Sequence, residues 1–461
     1  MLTVLKRPTI FLKFLQNPEK VRHLQAMQKT GIRILAFSFL FLLIGTARSA
    51  AQTITDALGT YTPYSMFGVG EVTRPGTSLN RGMGGIGVGL RDNRYINYLN
   101  PASASSRDSL SFMLDFGLMQ RNFINTDGTR SSAYNAFNMH HIILSFPIWK
   151  SSAMQMGIIP YSNVGYRFVE DESREDILAN VGSFRYLHYG QGSINQAFAA
   201  FSATFFRHLS VGAQGMFFFG NIEKNAQAVS LSNPELYGTL KTGYDIVIGS
   251  FGAQFGLQAF GNFSPSTSFT VGATFQPRAT LRGDVTRFAK VEKGSIIDTV
   301  YSFVSEGSQM SIPMEWTVGF SIRKRDKWVF GADYTQSDWR KSNFAATPGV
   351  LFEPALSRTL KAGLEFTPDR YSIRYFMRRW TYRMGAYYDQ SYMMLNGNQV
   401  TAIGVTFGFS VPIYRWYNSI GVSVDAGQRG SFENNLIRER YIMLILNFNL
   451  HDIWFIKHRY N

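Results

Sequence analysis

The 461-residue chain is 45% hydrophobic and 15% aromatic, but only 17% of its residues are charged and none is cysteine. Soluble domains usually carry about 25% charged residues, so a fully water-facing surface is difficult to build from this composition. The lack of cysteine excludes disulfides, cysteine-ligated metal centres, a thiol nucleophile and a lipid-modified cysteine. The net charge of +15 is not gathered into a basic run, so the composition indicates no nucleic-acid partner.

The start of the chain has the order of a secretory signal. Basic residues precede an apolar run over residues 34–45, and small residues stand immediately before Gln52. The run has about twelve residues, whereas a transmembrane helix needs about 20. We therefore predict a cleaved signal peptide over residues 1–51, with Met27 as an alternative start and a retained anchor helix as the alternative structure.

Beyond residue 105 the apolar residues recur with period two. Ile403, Val405 and Phe407, for example, alternate with glycine and threonine. This pattern predicts β-strands with one apolar face and one small or polar face, which occur in soluble sandwiches and in membrane barrels. The polar face consists mostly of Gly, Ser, Thr and Asn, and aromatic residues gather near turns, so the pattern favours the membrane barrel.

Turn lengths point the same way. Short turns are predicted near residues 207, 325, 369 and 414, and longer polar stretches lie between them, as in outer-membrane barrels. We therefore predict an all-β fold for residues 106–461, a transmembrane antiparallel β-barrel of about 14 strands. The long connections are predicted near residues 169–190, 220–240, 288–310, 338–357, 381–399 and 427–437.

Residues 52–105 do not alternate and are rich in Gly and Asn. Gly82, Gly84 and Gly87 match the pattern G-x-G-x-x-G, but they follow no strand–helix–strand unit of a nucleotide-binding domain. The better interpretation is that these glycines let the backbone pack closely against other backbone. An Asn-Pro-Ala motif follows at residues 100–102.

An export signal, a Gly-rich segment, an Asn-Pro-Ala motif and a barrel of this length together resemble the FadL/TodX outer-membrane transporters of hydrophobic compounds. The aromatic and basic end of the chain is similar to Bacteroidota members of that family. The resemblance implies that residues 52–105 form a hatch plugging the barrel lumen. It also implies a place in the outer membrane of a Gram-negative cell, in contact with its lipid. The hatch or gate residues would be Gly84, Gly85, Asn100, Pro101 and Ala102.

Two functions stay open at this point. One is passive uptake of hydrophobic small molecules such as long-chain fatty acids, and the other is a non-catalytic subunit or shuttle of a larger outer-membrane assembly or secretion system, in contact with other outer-membrane proteins. No enzymatic activity, metal or other cofactor is predicted, and neighbouring His140 and His141 should point to opposite faces of a strand. A predicted extracellular loop fits a ligand or a protein partner through Tyr382, Met384, Tyr387, Tyr388, Tyr392, Met393 and Met394.

Overall fold

The predicted barrel is confirmed. A computed structural model shows a closed antiparallel β-barrel of 14 strands. The last strand pairs with the first from Arg438↔Thr126 to Ile453↔Ser111, and this pairing closes the wall. No helix in the described part of the chain is long and apolar enough to cross a membrane. The signal peptide predicted for residues 1–51 lies outside the described residues, which are 59–180, 182–232, 234–342, 344, 351–413, 417–432 and 436–453.

The strands are β1 (Glu71–Val72), β2 (Ser111–Thr126), β3 (Ser131–Trp149), β4 (Ser152–Asp171), β5 (Phe184–Phe205), β6 (Leu209–Ser230), β7 (Thr239–Ser264), β8 (Thr267–Gln276), β9 (Ala279–Lys293), β10 (Ile296–Ile312), β11 (Met314–Lys324), β12 (Trp328–Asp338), β13 (Phe352–Pro354), β14 (Leu356–Phe366), β15 (Thr381–Leu395), β16 (Asn398–Pro412), β17 (Ser419–Arg429) and β18 (Arg438–Ile453). All but β1 build the wall. β8 and β9 pair with successive parts of β7. On their other side, β10 pairs with β9 and β11 pairs with β8. In the same way, β13 and β14 pair with successive parts of β15. Joining these three pairs end to end reduces the 17 segments β2 to β18 to the 14 strands of the wall.

The two faces of the wall differ as the period-two pattern predicts. On β16, Ile403, Val405 and Phe407 are exposed on the outside, whereas Thr406 and Ser410 are buried on the inside. Successive side chains of a strand point to opposite faces, so each strand contributes to an outer apolar band and to a polar lumen.

One rim of the barrel carries mostly short turns. The turns predicted near residues 207 and 325 are confirmed, since Phe205 pairs with Leu209 and Lys324 pairs with Trp328. The short turn predicted near residue 369 is wrong. Residues 367–380 separate β14 from β15, and they include the 3₁₀ helix Phe376–Arg379.

The opposite rim is built from strands that continue past the apolar band. The long connections predicted at 288–310 and 381–399 are wrong, because these residues belong to the hairpins β9–β10 and β15–β16. β7 has 26 residues, whereas crossing a membrane takes about ten. A strand that has left the apolar band can carry polar side chains on both faces, and its sequence then looks like a loop.

Residues 59–110 form the N-terminal segment, which lies against the inner face of the wall. Its short strand β1 pairs with β4, Glu71 opposite Asn163. Its helix Ser78–Gly82 packs against β15 to β18, and its 3₁₀ helix Pro101–Ser106 packs against β4 to β7. One continuous chain segment therefore contacts separate parts of the wall from the inside. A further 3₁₀ helix spans Pro63–Met66, and short helices outside the lumen span Glu175–Asn180 and Pro234–Tyr237.

Candidate functional site: the barrel lumen

The glycine turn of the N-terminal segment is held against β14 to β16. Gly84 N donates to Oγ1 of Thr406 over 2.8 Å, and that hydroxyl donates to the carbonyl of Gly82 over 3.1 Å. Gly84 has a φ of 74°, and Gly85, beside the Lys361 side chain, has a φ of 88°. Positive φ favours glycine, so both predicted residues have a conformational reason to be glycine.

Substituting Gly84 tests this close approach. A Cβ at Gly84 would lie 2.7 Å from the carbonyl oxygens of Ala362 and Ala386. We therefore expect Gly84→Ala to destabilise the docked segment by about 1–3 kcal/mol, measured as faster trypsin cleavage of the segment in the detergent-solubilised barrel. Gly215→Ala is the matched control, because nothing lies within 4 Å of the added Cβ. Equal cleavage rates for the two variants would contradict the prediction.

The Asn-Pro-Ala motif is anchored on another part of the wall. Asn100 is fully buried, and its Nδ2 donates to the carbonyls of Val88 at 3.0 Å and Leu257 at 3.1 Å. Its Oδ1 accepts from Ala102 N at 3.0 Å, which caps the 3₁₀ helix that begins at Pro101. A Cβ on Gly256 of β7 would collide with Oδ1 of Asn100, so the absence of a side chain at Gly256 leaves room for this turn. The structure thus places the motif against β7 and the glycine turn against β14 to β16.

Buried ion pairs bind the segment to the wall, and sequence reasoning missed them. Asp425 on β17 lies 2.8 Å from Arg81 and 3.0 Å from Arg74, and it accepts from the hydroxyl of Tyr387 at 2.7 Å. Arg81 is 4% exposed and Asp425 is 2% exposed. One carboxylate therefore compensates two guanidinium groups, of which Arg81 is buried and Arg74 is partly buried.

Glu71 forms a second buried centre. Its carboxylate lies 2.9 Å from Arg121 on β2 and 2.9 Å from Arg429 on β17, and it accepts from the hydroxyl of Thr60 at 2.8 Å. Burial alone would raise the pKa of Glu71, but the charges of Arg429 and Arg121 lower it to about 2. The carboxylate is therefore ionised at neutral pH and ties the segment to β2 and β17, the two strands that flank β18 in the wall.

Further polar contacts extend these ties around the lumen. Asp333 on β12 accepts from the backbone N–H groups of Gly87 at 2.7 Å and Val88 at 2.9 Å. Asp92 pairs with Arg323 on β11 at 2.7 Å. The available sequence signal was a charged residue at an inward position of a strand, because a buried charge needs a partner. That signal predicts that Asp333 has a polar partner in the lumen, but it does not identify the partner.

The predicted tyrosine and methionine loop does not exist as a loop. All seven residues lie in β15, which ends in a tight turn with positive φ at Asn396 and Gly397. Asn396-Gly397 between two alternating runs is a strong hairpin signal in the sequence, and it fits the observed turn. The strand divides the seven: Tyr382, Met384 and Tyr388 are exposed, Tyr387, Tyr392 and Met393 are buried, and Met394 is half-buried.

The prediction for His140 and His141 is also wrong. A β-bulge opposite Gly117 inserts one extra residue, so both imidazoles are buried and their Nδ1 atoms lie 2.7 Å apart. Nε2 of His141 bonds to Asp115 on the neighbouring strand. A bulge breaks the alternation on which the prediction depended. Within the described residues, no group of three or more His, Cys, Asp or Glu side chains is placed to hold a metal ion.

A cavity of about 220 Å³ lies between the N-terminal segment and the wall. Many of its lining residues carry amides and hydroxyls, and seven further lining residues are Asp, Glu, Lys or Arg. Sites for apolar small molecules are lined mainly by apolar side chains, with few polar groups. The cavity therefore suits water and polar groups better than a hydrocarbon. Its ionisable residues are Glu71, Arg74, Glu315, Asp333, Lys361, Asp389 and Arg429.

The fold defines a class, the closed antiparallel β-barrels of 14 strands of the FadL type. The toluene transporter TodX of Pseudomonas putida aligns with a TM-score of 0.53 and 13% identity, covering 84% of this chain and 100% of that one. The toluene transporter TbuX of Ralstonia pickettii gives 0.51 and 15%, over 82% and 98%. A FadL homologue of Pseudomonas aeruginosa gives 0.51 and 11%, over 82% and 98%. The resemblance to FadL/TodX proteins is thus upheld for the fold.

The sequence family of the chain has a different name from the FadL/TodX proteins that share its fold. The family model BamG matches residues 32–461, so the chain belongs to the BamG family. Comparison with curated protein sequences gave no match.

Proposed function

We propose that this barrel is a non-catalytic subunit of a larger outer-membrane protein assembly, with its apolar band in the lipid of the outer membrane. The observation that carries the proposal is the hairpin β9–β10. Neighbouring residues of a regularly paired strand point to opposite faces, yet both members of two such neighbouring pairs on β10 are exposed. Neither face of the hairpin tip is therefore covered by the barrel. The pairs are Ile296 and Ile297, and Phe303 and Val304, and at the bulge between them Val300 and Tyr301 are exposed as well.

The position of this hairpin supports a protein partner. β9 pairs with the part of β7 from Thr239 to Ile248, beyond the part that pairs with β8. The hairpin tip thus lies beyond the apolar band, on the side away from the short-turn rim. Its exposed apolar side chains are therefore outside the lipid. A patch of this kind outside the membrane marks a contact surface for another protein.

The lumen supports the same proposal. The N-terminal segment is tied to the wall by buried carboxylates such as Asp425 and Glu71, and each faces two arginines. Moving the segment would leave buried charges such as Asp425 and Arg81 without their partners, which is costly. A lumen filled in this way serves a rigid structural subunit better than a channel that must open.

Affinity purification from native outer membranes tests the proposal. A tagged chain should bring down outer-membrane proteins in fixed stoichiometry, and I297S/Y301S/F303S should lose them because it removes apolar contact area from the hairpin. The control L178S/L236S changes two exposed apolar residues elsewhere on the long-strand rim and should keep them. A wild-type chain that purifies alone, or a hairpin variant with an unchanged yield of partners, would contradict the proposal.

Uptake of hydrophobic compounds is the second candidate, and the fold likeness to TodX favours it. Under this function Gly84, Gly85, Asn100, Pro101 and Ala102 would form a gate, and long-chain fatty acids are one ligand class. Vesicles that contain the purified barrel would then take up an apolar probe faster than empty vesicles. Deletion of residues 80–102 would raise the rate further. Uptake equal to that of empty vesicles is the result expected of a structural subunit.

A further inference from the structure

A second cavity lies at the short-turn rim, under the connection of residues 367–380. It has a volume of about 200 Å³. Arg370 and Arg379 of the connection line it together with Arg94 of the N-terminal segment, and the hydroxyl-bearing Thr381 and Ser410 come from the wall. None of its described lining residues is acidic. The cavity is thus surrounded by guanidinium and hydroxyl groups.

The positive charge of this cavity is incompletely compensated. Arg94 pairs with Asp92 and Glu365, whereas the ion pair of Arg370 is with Asp326, which lies 3.5 Å away and is 54% exposed to solvent. Burial and the nearby charge of Arg94 lower the pKa of Arg370. Nη2 of Arg370 and Nε of Arg379 are buried and have no hydrogen-bond partner among the described residues. Buried donors without partners are costly, and a bound anion would satisfy them.

We propose that this cavity binds a phosphate group and that the headgroup of a membrane phospholipid supplies it. Planar guanidinium groups match the oxygens of phosphate in bidentate geometry, and two arginines can bind one phosphate from two sides. The cavity is large enough for a headgroup phosphate. The inference requires the barrel to lie in a membrane, but it does not depend on the subunit role.

The surface of the same connection identifies a lipid as the source. Ile373 is 97% exposed, and Tyr371 and Met377 are each 62% exposed. At the end of the connection, Trp380 stacks on Phe409 of the wall with ring centroids 5.5 Å apart. Aromatic and apolar side chains interspersed with arginine at the end of a membrane wall are typical of the lipid–water interface. Acyl chains beside these residues would place their headgroup at the arginine cavity.

Native mass spectrometry of the full-length chain in detergent tests the site. Phosphatidylglycerol, diacylglycerol without phosphate, and inorganic phosphate are added in separate titrations. R370Q/R379Q should bind phosphatidylglycerol about ten-fold more weakly, because two charge-assisted contacts are lost. The control R374Q/R378Q removes two exposed charges from the same connection and should stay within about two-fold of the wild type. Heat-dependent mobility on gels checks that both variants are folded.

Each other result overturns a stated part of the inference. Equal weakening in both double variants would show that general surface charge binds the lipid, without a site. Diacylglycerol bound as well as phosphatidylglycerol would remove the phosphate from the interaction. Inorganic phosphate bound in an arginine-dependent way without phosphatidylglycerol would overturn the lipid source. Retention of an acidic protein in place of lipid, lost only in R370Q/R379Q, would do so as well.

Discussion

Asp425→Asn should destabilise the protein by about 3–5 kcal/mol, because it leaves the buried Arg81 and the partly buried Arg74 without this anionic partner. The wild-type carboxylate lies 2.8 Å from Arg81 and 3.0 Å from Arg74. Asparagine keeps the shape of the side chain, so the effect reports charge and not a cavity. The free energy of unfolding of the detergent-solubilised barrel in denaturant measures it. Trypsin cleavage after Arg74 or Arg81 should accelerate in the same variant.

Asp171→Asn is the matched control for this prediction. Asp171 pairs with Arg185 at 2.7 Å, but the two side chains are 61% and 48% exposed. An exposed ion pair contributes about 0–1 kcal/mol, so this variant should unfold almost like the wild type. If Asp425→Asn were no more destabilising than Asp171→Asn, the lumenal ion pairs would not be what holds the segment.

The second large effect expected is a pH dependence of the free energy of unfolding, caused by protonation of Glu71. Its pKa is lowered to about 2 in the folded protein, from an ordinary value of 4.5. A carboxylate with a lowered pKa stabilises the fold fully above its unfolded pKa and loses that contribution as pH falls towards the folded pKa. The wild type should therefore lose stability, on the order of 3 kcal/mol, between pH 5 and pH 2 as the Glu71 carboxylate becomes protonated.

Glu71→Gln isolates that contribution. The variant should already be less stable at pH 7, because Arg121 and Arg429 lose their shared carboxylate. Its stability should then fall less steeply than that of the wild type as the pH is lowered from 5 to 2. Glu170→Gln changes an exposed glutamate of β4 and should keep the wild-type pH profile. Parallel profiles for Glu71→Gln and the wild type would show that Glu71 does not titrate as the structure indicates.

Both predictions bear on the choice between a subunit and a channel. If the segment is bound by several kcal/mol at each ion-paired centre, spontaneous displacement is rare, because about 1.4 kcal/mol corresponds to a factor of ten in population. If the protein were a channel, a ligand or partner would have to supply binding free energy that offsets the broken ion pairs. A structural subunit needs no displacement.

The predictable part of the candidate site was its glycines and the Asn-Pro-Ala turn. Gly84 and Asn100 are local signals, because positive φ and a side chain that caps its own turn depend on neighbouring residues. Asp425 and Glu71 were missed because their partners lie far away in the chain. Arg81 is 344 residues before Asp425 in the sequence, and Glu71 is bonded by Arg429 across 358 residues.

The sequence by itself determined that the protein is an antiparallel barrel of about 14 strands with apolar residues outside and small polar residues inside. This information is encoded locally, because successive side chains of each strand point to opposite faces. Apolar side chains occupy the face towards lipid, and small polar side chains occupy the face towards the lumen. Only the tertiary structure decided which strands continue beyond the apolar band, as in β9–β10 and β15–β16, since strand length there depends on pairing with a neighbour. It also decided that a bulge turns His140 and His141 to the same side, and that two arginines converge on Asp425. These outcomes depend on how far each hairpin continues to pair, on one inserted residue and on where the N-terminal segment docks, and period-two patterning carries no information about these features.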